Sequence, residues 1–425
     1  MNTAAPITAS SPLVGKTVLL VHPAWHSCGS YNVFMTQAQA YHALGAKVLS
    51  LAITDFPGNT AQSSAAKAYF DATQDLKVER RFFTGMPLGA VATRHFIRVV
   101  NAWLHGDYAA MLIETAQRSA LPVELRATKI DLIHCNHFFC MPAAAKLRDE
   151  QGCPLLLETH DLQARQFALR NRDAWTLSPK AKYETMLAQE LAQMRVADIL
   201  IHLNTEEADT FSALLPEKQH VLLFPAVAPM PAGTGDGIII VASSNYPNYL
   251  GLKWFLSEVM PQAGDIPVRI VGNIYRMVRW RAPLLYRRYK HLFTGFTADL
   301  GSVYAQARKI LLPTTSGFGI SIKTIEALSC GVPLVATRQA FRGMGINPAT
   351  LRNVTLAEDA IAFAEAMRRL GKTPNARDRV DSSSDTRQLY EKLFAADAYR
   401  QRLAELVEPL LKNGADAPAE VAARR

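Results

Sequence analysis

Continuous apolar runs alternate with amphipathic stretches along most of the chain. Residues 16–22 (KTVLLVH) read as a buried strand, 32–44 as a helix stopped by Gly45, and 47–53 as a second strand. Further strands are read at 131–134, 155–159, 198–203 and 221–224, with helical text carrying Glu184 and Glu190 over 179–196. Runs that do not alternate bury both faces, so a parallel, doubly wound α/β sheet is expected. Residues 225–236 (PAVAPMPAGTGD) break the pattern as a linker. After it the pattern restarts, with strands at 237–242, 268–271, 309–313 and 332–337 and a helix from Gly251. The expected organisation is a flexible start (1–15), a first Rossmann-like domain (16–224), a linker (225–236) and a second such domain (237–385). Helices over 386–412 are expected to return to the first domain, and 413–425 to be a disordered tail.

The most informative stretch lies between the strands at 309–313 and 332–337. Gly317-Phe318-Gly319-Ile320 leads into a helical spacing at Ile322, Ile325 and Leu328 that ends at Gly331. This is a βαβ unit with glycines where the loop meets the helix N-terminus. Free N–H groups and the positive dipole end suit a phosphate there, and glycine lets it approach the backbone. Lys323 adds a point charge. Glu326 follows one turn later, about 5.4 Å along the axis, where a carboxylate can accept from both hydroxyls of a ribose. Gly-x-Gly alone is an ordinary βα loop with a surface Lys–Glu pair; the flanking strands favour the nucleotide reading.

Other strand ends add candidates. Trp25, His26, Cys28 and Gly29 follow the first strand, and His22 and His26 are candidates for its crevice. Thr159-His160-Asp161 ends the strand at 155–159, and Ser243, Ser244, Asn245, Gly272 and Asn273 end strands of the second half. Residues 77–103 are basic and aromatic, with Arg80-Arg81-Phe82-Phe83 and then a helix bearing Arg94, Arg98 and Trp103. Such a segment lies on a membrane surface or packs on the sheet; both readings stand. The basic stretch 276–290 reads as a solvated face or a phosphate contact.

Composition narrows the class. The chain has 425 residues, 49% hydrophobic and 20% charged, as a soluble two-domain protein has. A net charge of +9 favours an anionic partner. No repeated aromatics mark a sheet face, so nucleic acid is not expected. Five cysteines without a CxxC pair are expected to be free thiols in a reducing compartment. Neither a signal peptide nor a long apolar span is read, so the expected location is cytoplasmic, free or peripheral on the cytoplasmic face of the inner membrane. No ligand-spaced His/Cys cluster or Asp-x-Asp run is present, so no metal cofactor is expected.

Taken together, the chain resembles glycosyltransferases of the two-domain GT-B fold, closest to family 4 (group 1), over about 16–411. The resemblance is carried by Val241-Ala242-Ser243-Ser244, Asn248, Gly251, Val271-Gly272, Gly295-Phe296, Asp299-Leu300 and Tyr304. It continues through Leu312-Pro313, Gly317-Phe318-Gly319-Ile320, Lys323, Glu326-Ala327 and Gly331-Val332-Pro333. It implies two Rossmann-like domains facing a cleft, a nucleotide-sugar donor held at ribose by Glu326, and a diphosphate at the Gly319–Lys323 turn. It implies that His160 approaches the donor sugar and that Gly29 lies in a loop facing donor and acceptor. His160 and Asp161 are then the acid–base candidates; if transfer inverts configuration, Asp161 or His26 is the base. The implied activity is metal-independent, retaining transfer to a glycan or lipid-linked acceptor in surface polysaccharide or glycoconjugate synthesis. Two departures stand out. Phe318 occupies the place where many members carry a second glutamate, and Ser243, Ser244 and Asn245 stand where an arginine–lysine pair is common. A nucleotide-sugar epimerase or a non-catalytic partner on the same fold are the alternatives.

Overall fold

The computed structural model describes residues 11–26, 29–87, 89, 93–369 and 384–413. The chain forms two compact units, Met1–Pro225 with Tyr399–Arg425, and Ala226–Ala398. The expected tail from 414, the start to residue 10, and Cys28 lie outside the described residues.

The first unit is built on a seven-stranded parallel sheet. Its strands are β1 (Thr17–Pro23), β2 (Lys47–Ile53), β3 (Arg80–Thr84), β4 (Leu132–Asn136), β5 (Leu155–Glu158), β6 (Ile199–His202) and β7 (Gln219–Leu222). Their order is β3-β2-β1-β4-β5-β6-β7. In β1 and β2 every residue after the first is buried, which is why both read as unbroken apolar runs. The order reverses between β1 and β4, and open α/β sheets bind ligands beyond the strand ends at such a point.

β3 departs from the expectation. The basic segment around Arg80 is an edge strand, paired in parallel with β2. Arg81 turns inward, and its guanidinium donates to the carbonyls of Phe70 (2.9 Å) and Thr73 (2.8 Å). Beyond it, the helix Arg94–Leu104 buries only Val99 and leaves Ile97 67% and Trp103 54% exposed.

The second unit carries a six-stranded parallel sheet. Its strands are β8 (Gly237–Val241), β9 (Val268–Val271), β10 (Phe293–Gly295), β11 (Ala307–Leu312), β12 (Leu334–Ala336) and β13 (Val354–Leu356). The order is β10-β9-β8-β11-β12-β13, with the reversal between β8 and β11. The edge strands β10 and β13 are three residues long, too short for a periodicity to show.

The helix expected from Gly251 begins earlier, at Tyr246. Asn245 caps it, accepting from the Asn248 amide at 2.8 Å. Gly251 is interior, and a Cβ there would stand 2.2 Å from the Pro313 carbonyl oxygen. A glycine inside a helix costs stability, and here it lets the helix lie against the loop after β11. The linker residues are tied down within this unit: the Val227 amide donates to Phe394 O (3.0 Å) and the Met230 amide to Ser329 Oγ (2.9 Å). The C-terminal text forms two helices, Asp385–Leu393 and Ala396–Asn413. Tyr399, Leu403 and Val407 on the second are buried, and Tyr399 onward belongs to the first unit. Cys135, Cys140, Cys153 and Cys330 are buried free thiols.

Candidate functional site

In the second unit the candidates collect at the C-terminal ends of β8, β9 and β11. Gly272 follows β9 at φ +124°, and a Cβ there would stand 2.0 Å from the Ala242 carbonyl oxygen. Only glycine lets the ends of β8 and β9 approach so closely. Asn273 then accepts from the Ser244 amide at 2.6 Å, and Asn248 donates to Ser243 O at 3.0 Å. Ser243, Ser244, Asn245, Gly272 and Asn273 are thus one hydrogen-bonded loop pair.

The turn after β11 holds Gly317 at φ +124° and Gly319 at φ +66°. Its helix, Ile322–Cys330, is capped by Ser321, which accepts from the Thr324 amide at 3.3 Å, and closed by Gly331 in the left-handed region. Phe318 is 47% exposed on the turn; Gly319 and Ile320 carry the chain back to the helix.

Glu326 is buried on this helix. Its carboxylate accepts from the Tyr304 phenol (Oε2, 2.8 Å) and from Lys323 Nζ (both oxygens, 2.9 Å). Burial, reinforced by Glu326, holds the Tyr304 phenol well above its ordinary value, so it stays a donor. Lys323, expected to add a point charge for a phosphate or to pair with Glu326, makes the i,i+3 pair with Glu326.

Two cations stand beside these loops, Arg342, which the sequence did not single out, and Arg281, from the basic stretch read as a solvated face or a phosphate contact. Arg342 donates to Gln339 O (3.2 Å) and approaches Phe318 O (3.5 Å), while Gln339 Nε2 donates to Gly317 O (3.1 Å). A Cβ on Gly317 would meet Arg342 at 2.9 Å. Arg281 places its guanidinium 5.1 Å from the ring of Tyr246, the residue after the Ser243–Asn245 loop. Arg342 could not be found by spacing, because it reaches its loop from another element.

In the first unit a cavity of 430 Å³ lies beyond the ends of β1, β4 and β5. It is lined by Trp25, His26, Ser30, His137, Asp161 and Gln166, with Ala24 and Gln163 completing it. His26 is exposed at its rim. Gly29 is not in a loop but opens the helix Gly29–Ala43, and a Cβ there would have nothing within 4 Å. His22 is fully buried, bonded to Ser50 Oγ (2.8 Å) and Pro23 O (2.9 Å), so its role is structural.

His160 is present but recessed. Its Nε2 lies 2.9 Å from Asn136 Oδ1, an acceptor, which fixes the proton on Nε2. The side-chain amides of Asn136 and Gln37 each donate a hydrogen bond to the other's oxygen, and Gln37 also donates to Glu158 at 2.6 Å. Burial lowers His160 to about 4. His137, which follows β4 as His160 follows β5, covers it: the two rings stack at 3.9 Å and 6°. These are the two non-glycine residues with positive φ among the described residues, His137 at 65° and His160 at 62°. Each such conformation costs about 1–3 kcal/mol and persists only where its surroundings impose it.

Asp161 joins the cavity wall, and burial raises its carboxyl against the opposing influence of Glu207 and Arg165. Glu207, buried beside it, is pushed up to about 9 by burial and by Asp161. A raised carboxyl is a stronger base when ionised, which suits proton transfer. Among the described residues no group of three or more His, Cys, Asp or Glu side chains is placed to hold a metal ion.

With this geometry in place, comparisons become informative. Residues 236–373 match the family model described as "Glycosyl transferases group 1". No curated protein sequence matches the chain. Sucrose-phosphate synthase from Thermosynechococcus elongatus is similar in structure, with a TM-score of 0.61 at 17% identity over 94% of this chain and 100% of that one. Anabaena HepE in complex with UDP gives 0.60 at 14% identity over 92% and 100%. A glycosyltransferase from Rickettsia africae gives 0.55 at 13% identity over 94% and 99%. With residues 236–373 a group 1 glycosyl transferase domain, the chain is a glycosyltransferase of the GT-B fold.

Proposed function

We propose that the protein transfers a sugar from a nucleotide-sugar donor to a glycan or lipid-linked acceptor, with retention and without a metal, in surface polysaccharide or glycoconjugate synthesis. The observation that carries this reading is the Glu326 carboxylate, buried one turn inside a glycine-led helix and held by Tyr304 and Lys323. In that position it receives the ribose hydroxyls, while the helix N–H groups, Lys323 and Arg342 meet the diphosphate as charge develops on the leaving group. Anabaena HepE has been solved with UDP and with UDP-glucose, which makes a uridine nucleotide the first donor class to test. The first unit, with Asp161 raised and His160 oriented, takes the acceptor side.

The membrane part of the reading is supported by the exposed Ile97 and Trp103 beside Arg94 and Arg98. The loop bearing the 79%-exposed Trp175 is bonded to this helix end through the Leu177 amide and Leu104 O (2.7 Å). Tryptophans and cations together suit the interface of an anionic bilayer. Flotation with anionic vesicles, lost in Trp103→Ala/Trp175→Ala, tests it; recovery of the parent protein in the soluble fraction alone overturns it.

A thermal-shift screen of UDP, GDP, ADP and dTDP sugars tests the donor assignment, since a ligand of the native state raises Tm. NMR of the shifted donor with and without acceptors then separates transfer from epimerisation of the donor alone. No shift with any nucleotide sugar refutes the reading.

A further inference from the structure

Resting on that reading, we propose that the cavity of the first unit holds an uncharged pyranose ring of the acceptor, and that His137 is the residue that reads its hydroxyl. His137 Nδ1 is buried and has no hydrogen-bond partner among the described residues, in a side chain that lines the cavity and is 1% exposed. A buried polar atom left so is rare and calls for a ligand or a role. The other ring nitrogen is 3.2 Å from Ser30 Oγ, and a serine hydroxyl donates or accepts. Nδ1 is therefore a donor in one tautomer and an acceptor in the other. A sugar hydroxyl satisfies either, whereas a phosphate oxygen satisfies only a donor.

The walls point the same way. Trp25 stands edge-on to His137 at 4.9 Å, and its indole N–H is taken by Asp55 at 2.7 Å. The ring is thereby held as an apolar wall, suited to the C–H face of a pyranose. Gln163, Gln166 and Asp161 supply amide and carboxyl groups for the ring's edge. Among the described residues no lysine or arginine lines the cavity and one carboxyl does, so an anionic sugar is disfavoured. Burial, with His160 and His22 nearby, holds His137 well below its ordinary pKa, so it supplies no positive charge either.

The backbone supports function over packing. His137 sits at φ 65°, ψ 134°, a conformation that glycine adopts without strain. A position serving only the chain path is better filled by glycine.

The test uses the full chain and ligand-observed NMR with methyl α-D-glucopyranoside, its galacto and manno isomers, and glucuronate. We expect at least one neutral glycoside to bind saturably, with glucuronate at least tenfold weaker. His137→Gly, which suits the backbone, and Gln166→Ala, a half-exposed side chain, should each weaken binding about fivefold or more while UDP binding stays as in the parent. Binding of none of the three neutral glycosides, equal binding of glucuronate, or unchanged affinity in both variants overturns the proposal. Because UDP binding is followed separately, loss of the donor reading is distinguishable from loss of this one.

Discussion

Glu326→Gln separates what the carboxylate does for the protein from what it does for a nucleotide. The amide keeps the shape and one acceptor. The buried Tyr304 bond falls from charge-assisted to neutral, a loss of about 1 kcal/mol. Lys323 is 27% exposed and its pair with Glu326 is partly screened, so that term is about 0.5 kcal/mol. Together they amount to about 1.5 kcal/mol, which in a unit of about 170 residues lowers Tm by about 3–6 °C. A ribose diol loses charge assistance in two bonds at once, about 1 kcal/mol each, or about 30-fold in Kd. Thermal melts with and without UDP give the first quantity, and titration calorimetry with UDP gives the second. A lowered Tm with unchanged UDP affinity would refute the reasoning, because the carboxylate would then serve the fold alone.

Other outcomes follow from the same geometry. Gly272→Ala puts a Cβ against the Ala242 carbonyl at positive φ; we expect a loss of about 3 kcal/mol or more, read as a large fall in Tm, and a parent-like melt refutes the steric account. Ser321→Ala removes the cap of the Glu326 helix and should cost about 1 kcal/mol by denaturant titration. Glu190 is held up at about 7, against an ordinary 4.5, by burial, which the Ala164 and Gln163 amides oppose and Asp161 reinforces. Being protonated when folded and ionised when unfolded, it contributes stability that is complete below pH 4.5 and lost as pH rises through 7, about 3 kcal/mol in all. Melts from pH 5 to 8 should show a fall that Glu190→Gln flattens; parallel curves count against the assignment. Transfer activity should survive EDTA, and its abolition with recovery on adding magnesium would sink the metal-independent reading.

The parts legible in the sequence were those buried on both faces. β1, β2 and β8 are apolar because helices cover both sides of a parallel sheet, and the turn at Gly317 is legible because glycine is written into it. β3, β10 and β13 were not, since an edge strand needs little burial and can begin with Arg80 and Arg81. The donor-side Lys323–Glu326 pair was legible from its spacing, but the bond from Tyr304 was not, because Tyr304 arrives from another helix. Arg342 reaches the turn from 24 residues beyond Phe318, across β12. In the first unit the sequence singled out His160, yet His137 covers it. Nothing in a residue name reports a positive φ, and the stack depends on two strands lying side by side.

The buried residues Tyr399, Leu403 and Val407 have a consequence for biosynthesis. A ribosome delivers them after the whole second unit, although the rest of the unit they complete is made before residue 226. The second unit has its ends tied together by the Val227–Phe394 bond and is complete once residue 398 has emerged. The first unit must wait for these side chains while some 170 residues of another domain are made and folded. A nascent chain stalled near residue 225 should therefore bind chaperones, and truncation before Tyr399 should lower the solubility of the first unit.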